Sequence, residues 1–170
     1  DLTAEGAYPL GGAVCASLIV AGIPQIFAII GGVLAGGLLG VCTSQVTLRL
    51  KVNSLLAGII LSTMAYSINL RIMGKPNIAL FDMSGINFDV TTLAMIIMIC
   101  IILFALFLHT DFGLRFRVIG NNCKFAAGFG ISVNKYTALG LFIAGSMFGL
   151  AGSLIVQMQQ FMDVGMGVGI

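Results

Sequence analysis

The side chains best suited to chemistry in this chain cluster in a polar interval between Phe107 and Tyr136, where two strongly apolar stretches are interrupted. The interval holds Arg115, Arg117, Lys124 and Lys135, four of the eight basic residues in the sequence. Such cations can grip an acidic or polar partner surface through charge-assisted hydrogen bonds. With a net charge of only +2 over 170 residues, they do not make a nucleic-acid-binding surface. The interval is too long for a tight helix–helix turn. It is also too apolar for a free linker, because Phe116, Val118, Ile119, Phe125, Phe129 and Ile131 are interspersed among the charges. It therefore reads as a small structured element suited to holding something in the cytosol. Asn121 or Asn122 is placed to cap a short helix running through Phe129, with Gly130 to end it. Phe125 and Phe129, four apart, share one face of that helix. On the residues alone, an interfacial loop and a partner-docking helix are equally open.

Two further stretches carry polar groups. In the opening segment, Asp1 or Thr3 can cap a helix whose first turn contains Glu5, where an acid is favoured by the helix dipole. The alternative puts Asp1, Thr3 and Glu5 near the membrane midplane, lining a polar path, since acids inside a membrane usually mark function. From Tyr66 through Asn77 the chain carries Asn69, Arg71 and Lys75, and Gly74 and Pro76 stop the helix. Arg71 and Lys75 either snorkel to headgroups or, with Asp82 and Asp89, form a docking surface for an external partner.

Catalytic constellations are poorly supported. His109, with Asp111 nearby, is the single histidine, and no nucleophile or second ligand stands at triad or metal spacing. The glycine run from Gly31 to Gly37 lacks the lysine of a phosphate-binding loop and lies in an apolar stretch. The chain is therefore expected to be no enzyme and to bind no cofactor, metal or nucleotide itself. Cys15, Cys42 and Cys100 lie in apolar stretches and Cys123 in the basic interval, without the spacing of a disulfide framework or a zinc site.

The elements that must position these groups are membrane helices. The sequence is 59% hydrophobic and 8% charged, against about 25% charged residues in an ordinary soluble domain. A soluble protein of this size cannot hide that much apolar surface. Hydropathy divides the chain into about five membrane segments: Leu10–Ile23, Gln25–Val46, Leu55–Leu70, Val90–Leu108 and Tyr136–Met158. The first follows Pro9 and covers about 21 Å at about 1.5 Å per residue, less than the roughly 30 Å hydrocarbon core. It either extends back toward Glu5 or forms a half-helix buried among the others. Gly32, Gly36 and Gly40 repeat every four residues, as do Gly145, Gly149 and Ser153, a spacing that lets helices approach closely. Placing Arg49, Lys51, Arg115, Arg117, Lys124 and Lys135 on one side leaves Arg71 and Lys75 opposite, and the positive-inside rule makes the first side cytoplasmic. The start at Asp1 and the end at Gly169-Ile170 lead to the expectation of an internal piece of a longer protein.

Three stretches resemble the permease subunit of bacterial ATP-binding-cassette importers, in the branch that includes ribose and branched-chain amino acid permeases. They are Asp1-Leu-Thr-Ala-Glu-Gly6 with Leu10-Gly11, Tyr66 to Asn77, and Gly113-Leu-Arg-Phe-Arg-Val-Ile-Gly-Asn-Asn122 with Ala126, Ala127, Gly130-Ile131 and Val133. The run from Tyr66 to Gly74 looks closest to permeases for tryptophan, tyrosine or related amino acids. Cys123 stands where the family commonly has proline, and Gly128 loosens the expected helix.

The resemblance implies an all-α, multi-spanning transmembrane bundle, a single permease domain over 1–170, with a cytoplasmic coupling loop at 113–133. In that loop Gly113, Arg115, Arg117, Gly120, Asn121, Asn122, Phe125, Ala126, Ala127, Phe129, Gly130 and Ile131 would meet a cytosolic ATPase, and ATP would be bound by that partner. Asp1, Thr3, Glu5, Tyr66 and Asn69 would line the translocation path, and Arg71, Lys75, Asp82 and Asp89 would meet an extracytoplasmic solute-binding protein. A second permease copy, identical or paralogous, would complete the pore in a bacterial plasma membrane. A ribose-type solute, a gradient-driven carrier or channel, and a non-transporting scaffold are the competing readings.

Overall fold

The computed structural model describes residues 3–81, 90–122, 126, 128–130 and 132–167. Expectations placed on Asp1, Asp82, Asp89, Cys123, Lys124, Phe125, Ala127 and Ile131 lie outside the described residues. The chain divides into two compact units, Asp1–Asn87 with Leu141–Ile170, and Phe88–Gly140.

The first unit is built around one buried helix. Helix α1 (Thr3–Val20) buries residues on almost every side, including Ala7, Ala13, Cys15 and Ala16 at 0% exposure. Of the two readings of the segment over Leu10–Ile23, the extension back past Glu5 is the one seen: the helix starts at Thr3, carries Pro9 inside it, and stops at Val20 rather than Ile23. Proline lacks an N–H, so it deprives only the Glu5 carbonyl of its helical partner. A helix enclosed by protein tolerates that loss. Gly22, at φ +83°, and Pro24 turn the chain into helix α2 (Gln25–Leu50), where the Pro24 carbonyl accepts from Ala28 N at 3.1 Å. Lys51 ends α2 in the left-handed region, and Asn53 caps helix α3 (Ser54–Met73) by accepting from Leu55 N at 3.2 Å. Gly74 stops α3 as expected, at φ +65° with its N–H donating to Leu70 O at 2.9 Å.

The two glycine stripes pack on each other. A Cβ added to Gly149 would lie 2.5 Å from the Gly32 carbonyl oxygen, and one added to Gly36 would lie 2.9 Å from Gly149 Cα. Here α2 meets the later part of helix α6 (Val133–Gln159) antiparallel, with Gly11 of α1 wedged against both. Ser153 Oγ donates to Gly149 O at 2.7 Å and lies 3.2 Å from Gly11 O, giving the contact a polar pin. Close backbone approach with hydroxyl bonding is how helices associate without a hydrophobic driving force between them.

A two-stranded ribbon closes one end of this unit. Strands β1 (Asn77–Ala79) and β2 (Phe161–Asp163) pair antiparallel, Asn77 opposite Asp163. Beneath them Met73, Leu80, Val156, Met162 and Val164 join Ala13, Cys15, Ala16 and Ile19 of α1 in one apolar core. A second core toward the other end joins Ala7, Leu10, Leu39, Leu61 and Ala65.

The second unit comprises helix α4 (Val90–Leu108), helix α5 (Asp111–Asn121) and the first turns of α6. Apolar side chains along α4, from Met95 to Leu106, are exposed on the chain, as suits a lipid-facing surface. Gly113 is buried against the end of α4: a Cβ there would meet Leu108 Cα and Phe107 O at 2.6 Å. Among the described residues four helices, α2, α3, α4 (over Thr91–Leu108) and α6, are long and apolar enough to cross a membrane; α1, the fifth expected segment, is not one of them.

Candidate functional site

In the second unit the polar interval is held by an aromatic chain. The rings of Phe104 and Phe107 on α4 stack with centroids 6.5 Å apart, and Phe107 meets Phe116 of α5 at 6.0 Å. Phe116 meets Tyr136 of α6 edge-on at 5.5 Å. Arg115 adds a polar link, its Nη1 donating to the Tyr136 hydroxyl at 2.8 Å. That bond, followed by the fields of Tyr136 and Asp111, raises the guanidinium pKa above its already high value. Arg115 thus faces its own scaffold, while Arg117, Gly120, Asn121 and Asn122 are exposed on α5.

A helix over Asp111–Asn121 lies upstream of the one expected. Its signals were present: Asp111 in the first turn, and Gly113, Phe116 and Ile119 at three-residue spacing on the inward face. Of the short helix expected through Phe129, residues 123–125 and 127 lie outside the described residues; the Asn122 carbonyl accepts from Ala126 N at 3.1 Å and Gly130 takes φ +74°. Among the residues expected to contact a partner, Gly113 and Ala126 are buried, so they shape the loop, whereas Phe129 is 72% exposed. Leu114, 61% exposed, was not singled out from sequence and adds apolar surface beside Arg117, whereas Phe112, also not singled out, lines a hollow with Ser132, Lys135, Tyr136 and Leu139. Sequence reasoning also missed Phe107 and Tyr136, whose partners across 9 to 21 residues leave no local signature.

In the first unit the structure shows where Glu5 stands along its neighbouring helices. A Cβ on the adjacent Gly6 would lie 2.8 Å from Ser62 Cα and 3.1 Å from Leu39 Cδ2. Ser62 stands at the middle of α3 and Leu39 near the middle of α2, so Glu5 is level with the centre of two spans. A cavity of about 220 Å³ opens there, lined by Glu5, Pro9, Ser62, Thr63, Tyr66, Val164 and Met166. Glu5 and Tyr66 are thereby brought together. Thr3 is not: it is buried, with its hydroxyl 3.3 Å from Thr43 Oγ1. Asn69 is also elsewhere, fully buried with neither amide atom hydrogen-bonded. Ser62 and Thr63 stand out in the sequence as polar residues of an apolar span, but the cavity's Val164 and Met166 were not identified, because the turn after β2 reaches Pro9 only through the tertiary fold.

Arg71 and Lys75 are exposed at the ribbon end of the first unit, with Arg49 and Lys51 at the opposite end. Asp163 joins the ribbon end, where its Oδ1 accepts from Gly165 N at 2.6 Å. In the amide orientation that satisfies its neighbours, Asn77 donates to Asp163 Oδ2 at 2.9 Å.

The family model described as branched-chain amino acid transport system / permease component matches residues 1–170. A tyrosine transport system permease protein of Clostridioides difficile (strain R20291) is 36% identical over 173 residues, covering 99% of this chain and 59% of that protein. An uncharacterised protein of Rickettsia prowazekii (strain Madrid E) is 35% identical over 176 residues, covering 100% of this chain and 62% of that protein. The chain therefore spans about three-fifths of the length of these relatives. No solved structure matches it significantly. Matched along its whole length, and folded as helices long and apolar enough to cross a membrane several times, the chain belongs to the family of branched-chain amino acid transport system permease components.

Proposed function

We propose that this chain is the membrane-spanning part of a permease subunit in an ATP-binding-cassette importer of a bacterial plasma membrane. It carries a small solute, an aromatic amino acid such as tyrosine, and has no catalytic site of its own. A cytosolic ATPase hydrolyses ATP and docks on residues 113–133, a solute-binding protein delivers cargo near Arg71 and Lys75, and a second permease copy completes the pore. The name of the Clostridioides difficile relative supports the solute class.

The observation that carries the reading is the tie between α5 and its neighbours. A motor drives a membrane helix only if displacement of the loop is transmitted rather than absorbed. The Phe107–Phe116–Tyr136 contacts and the Arg115–Tyr136 bond make α5 rigid against the end of α4 and the start of α6. Arg117 and Leu114 remain outward as a mixed basic and apolar docking face. The test is charge reversal in the full-length permease co-expressed with its ATPase and binding protein. Arg117→Glu is expected to weaken permease–ATPase assembly at least tenfold and to lower ATP-driven uptake in step. Unchanged assembly and uptake would reject the docking role.

The mid-depth position of Glu5 keeps one other reading in play, a gradient-driven carrier that uses an intramembrane acid for ion coupling. Uptake that survives ATP depletion and collapses with an uncoupler would favour it.

A further inference from the structure

The cavity at Glu5 has a chemistry that selects one kind of guest. Glu5 supplies the charged side chain among the described lining residues, and no lysine or arginine accompanies it. The Ser62 and Thr63 hydroxyls spend their protons on their own helix, donating to Ile59 O at 2.9 Å and Ile60 O at 2.8 Å. Each keeps oxygen lone pairs with which to accept. Pro9 also leaves the Glu5 carbonyl without its helical donor. That carbonyl lies 3.6 Å from where a Cβ on Gly167 would stand, in the turn that also brings Val164 and Met166 to the cavity.

The wall is thus largely apolar, from Pro9, Val164, Met166 and the Tyr66 ring, and its polar part is the Glu5 carboxyl, the lone pairs of Ser62 and Thr63 and the Tyr66 hydroxyl. A donor-rich cation complements it: an ammonium group gives three N–H donors and a charge to meet the carboxylate. Tyr66 can also face a cation with its ring. The volume exceeds what a bare metal ion requires, being roughly that of seven waters at about 30 Å³ each. The guest is therefore an organic amine with an apolar body.

We propose that this cavity is a solute subsite on the translocation path, in which the Glu5 carboxylate receives the ammonium group of an amino acid. The inference rests on the permease reading and adds which end of the solute the helices recognise.

The experiment uses the full-length permease assembled with its ATPase and freed of binding protein. It is titrated by equilibrium dialysis with L-tyrosine, tyramine and 3-(4-hydroxyphenyl)propionate, which lacks the amine. Wild-type protein is expected to bind tyrosine and tyramine saturably, and the desamino acid at least tenfold more weakly. Glu5→Gln is expected to lower tyramine affinity at least tenfold, and Glu5→Asp to recover part of the loss. Equal binding of the desamino acid, no saturable tyramine binding by wild type, or undiminished binding in an assembled Glu5→Gln complex overturns the proposal. The wild-type ligand series needs no substitution, so a misfolded variant does not shield the idea. ATP-dependent tyrosine uptake by the same complex with its binding protein scores the permease reading separately. Intact uptake with any of the overturning results removes the subsite alone, and amine binding without ATP-dependent uptake removes the permease reading alone.

Discussion

At Gly149 the absence of a side chain is a structural requirement that can be given a magnitude. The position a Cβ would take lies against the backbone of Gly32 and Gly36, which cannot rotate away as a flexible side chain would. Inserting volume into a close-packed contact costs about 1–3 kcal/mol, and more where two helix axes must separate. Gly149→Val should therefore lower the melting temperature of the detergent-solubilised full-length permease by several degrees. Gly120→Ala, with nothing within 4 Å of the added carbon, should leave it within a degree or two. A Gly149→Val protein as stable as wild type would mean that α2 and α6 do not meet along this stripe. Ser153 belongs to the same contact, and its hydroxyl matters because a buried polar group in lipid has few other partners.

For α5 the informative residue is Phe116, because it is the ring that joins two helices. Each aromatic pair of this geometry contributes about 0.5–1.5 kcal/mol beyond its burial. Phe116→Ala removes two, so α5 should lose roughly 1–3 kcal/mol of attachment while keeping its outward face. The expected outcome is a separation of functions: ATPase binding within about threefold of wild type, and ATP-driven uptake reduced at least fivefold. Arg117→Glu should do the reverse at the level of assembly. Matching losses of assembly and uptake in both variants would show that rigidity and docking are not divided between these two residues.

For the whole molecule, the outstanding question is how the ends of the first unit sit in a membrane. Arg49 and Lys51 mark one end, and Arg71, Lys75 and the β1–β2 ribbon the other. Positive residues in short connections favour the cytoplasm. In intact cells, a cysteine placed at Lys75 should react with an impermeant maleimide, and one at Lys51 or Arg117 only after permeabilisation. The opposite pattern would invert the orientation and remove the basis for an ATPase at residues 113–133.

Much of this architecture was written locally. Unbroken apolar runs can only be spans, Gly74 and Gly130 stop helices because positive φ suits a residue without Cβ, and glycines four apart must share a helix face. These are properties of neighbouring residues, so periodicity and composition determine them. The level of Glu5 along α2 and α3, the assembly of its cavity from α1, α3 and the turn after β2, and the pairing of Arg115 with Tyr136 were decided only by the tertiary structure. Each depends on the register between elements far apart in the chain, and that register is set by which glycines and rings interlock, information no local pattern carries.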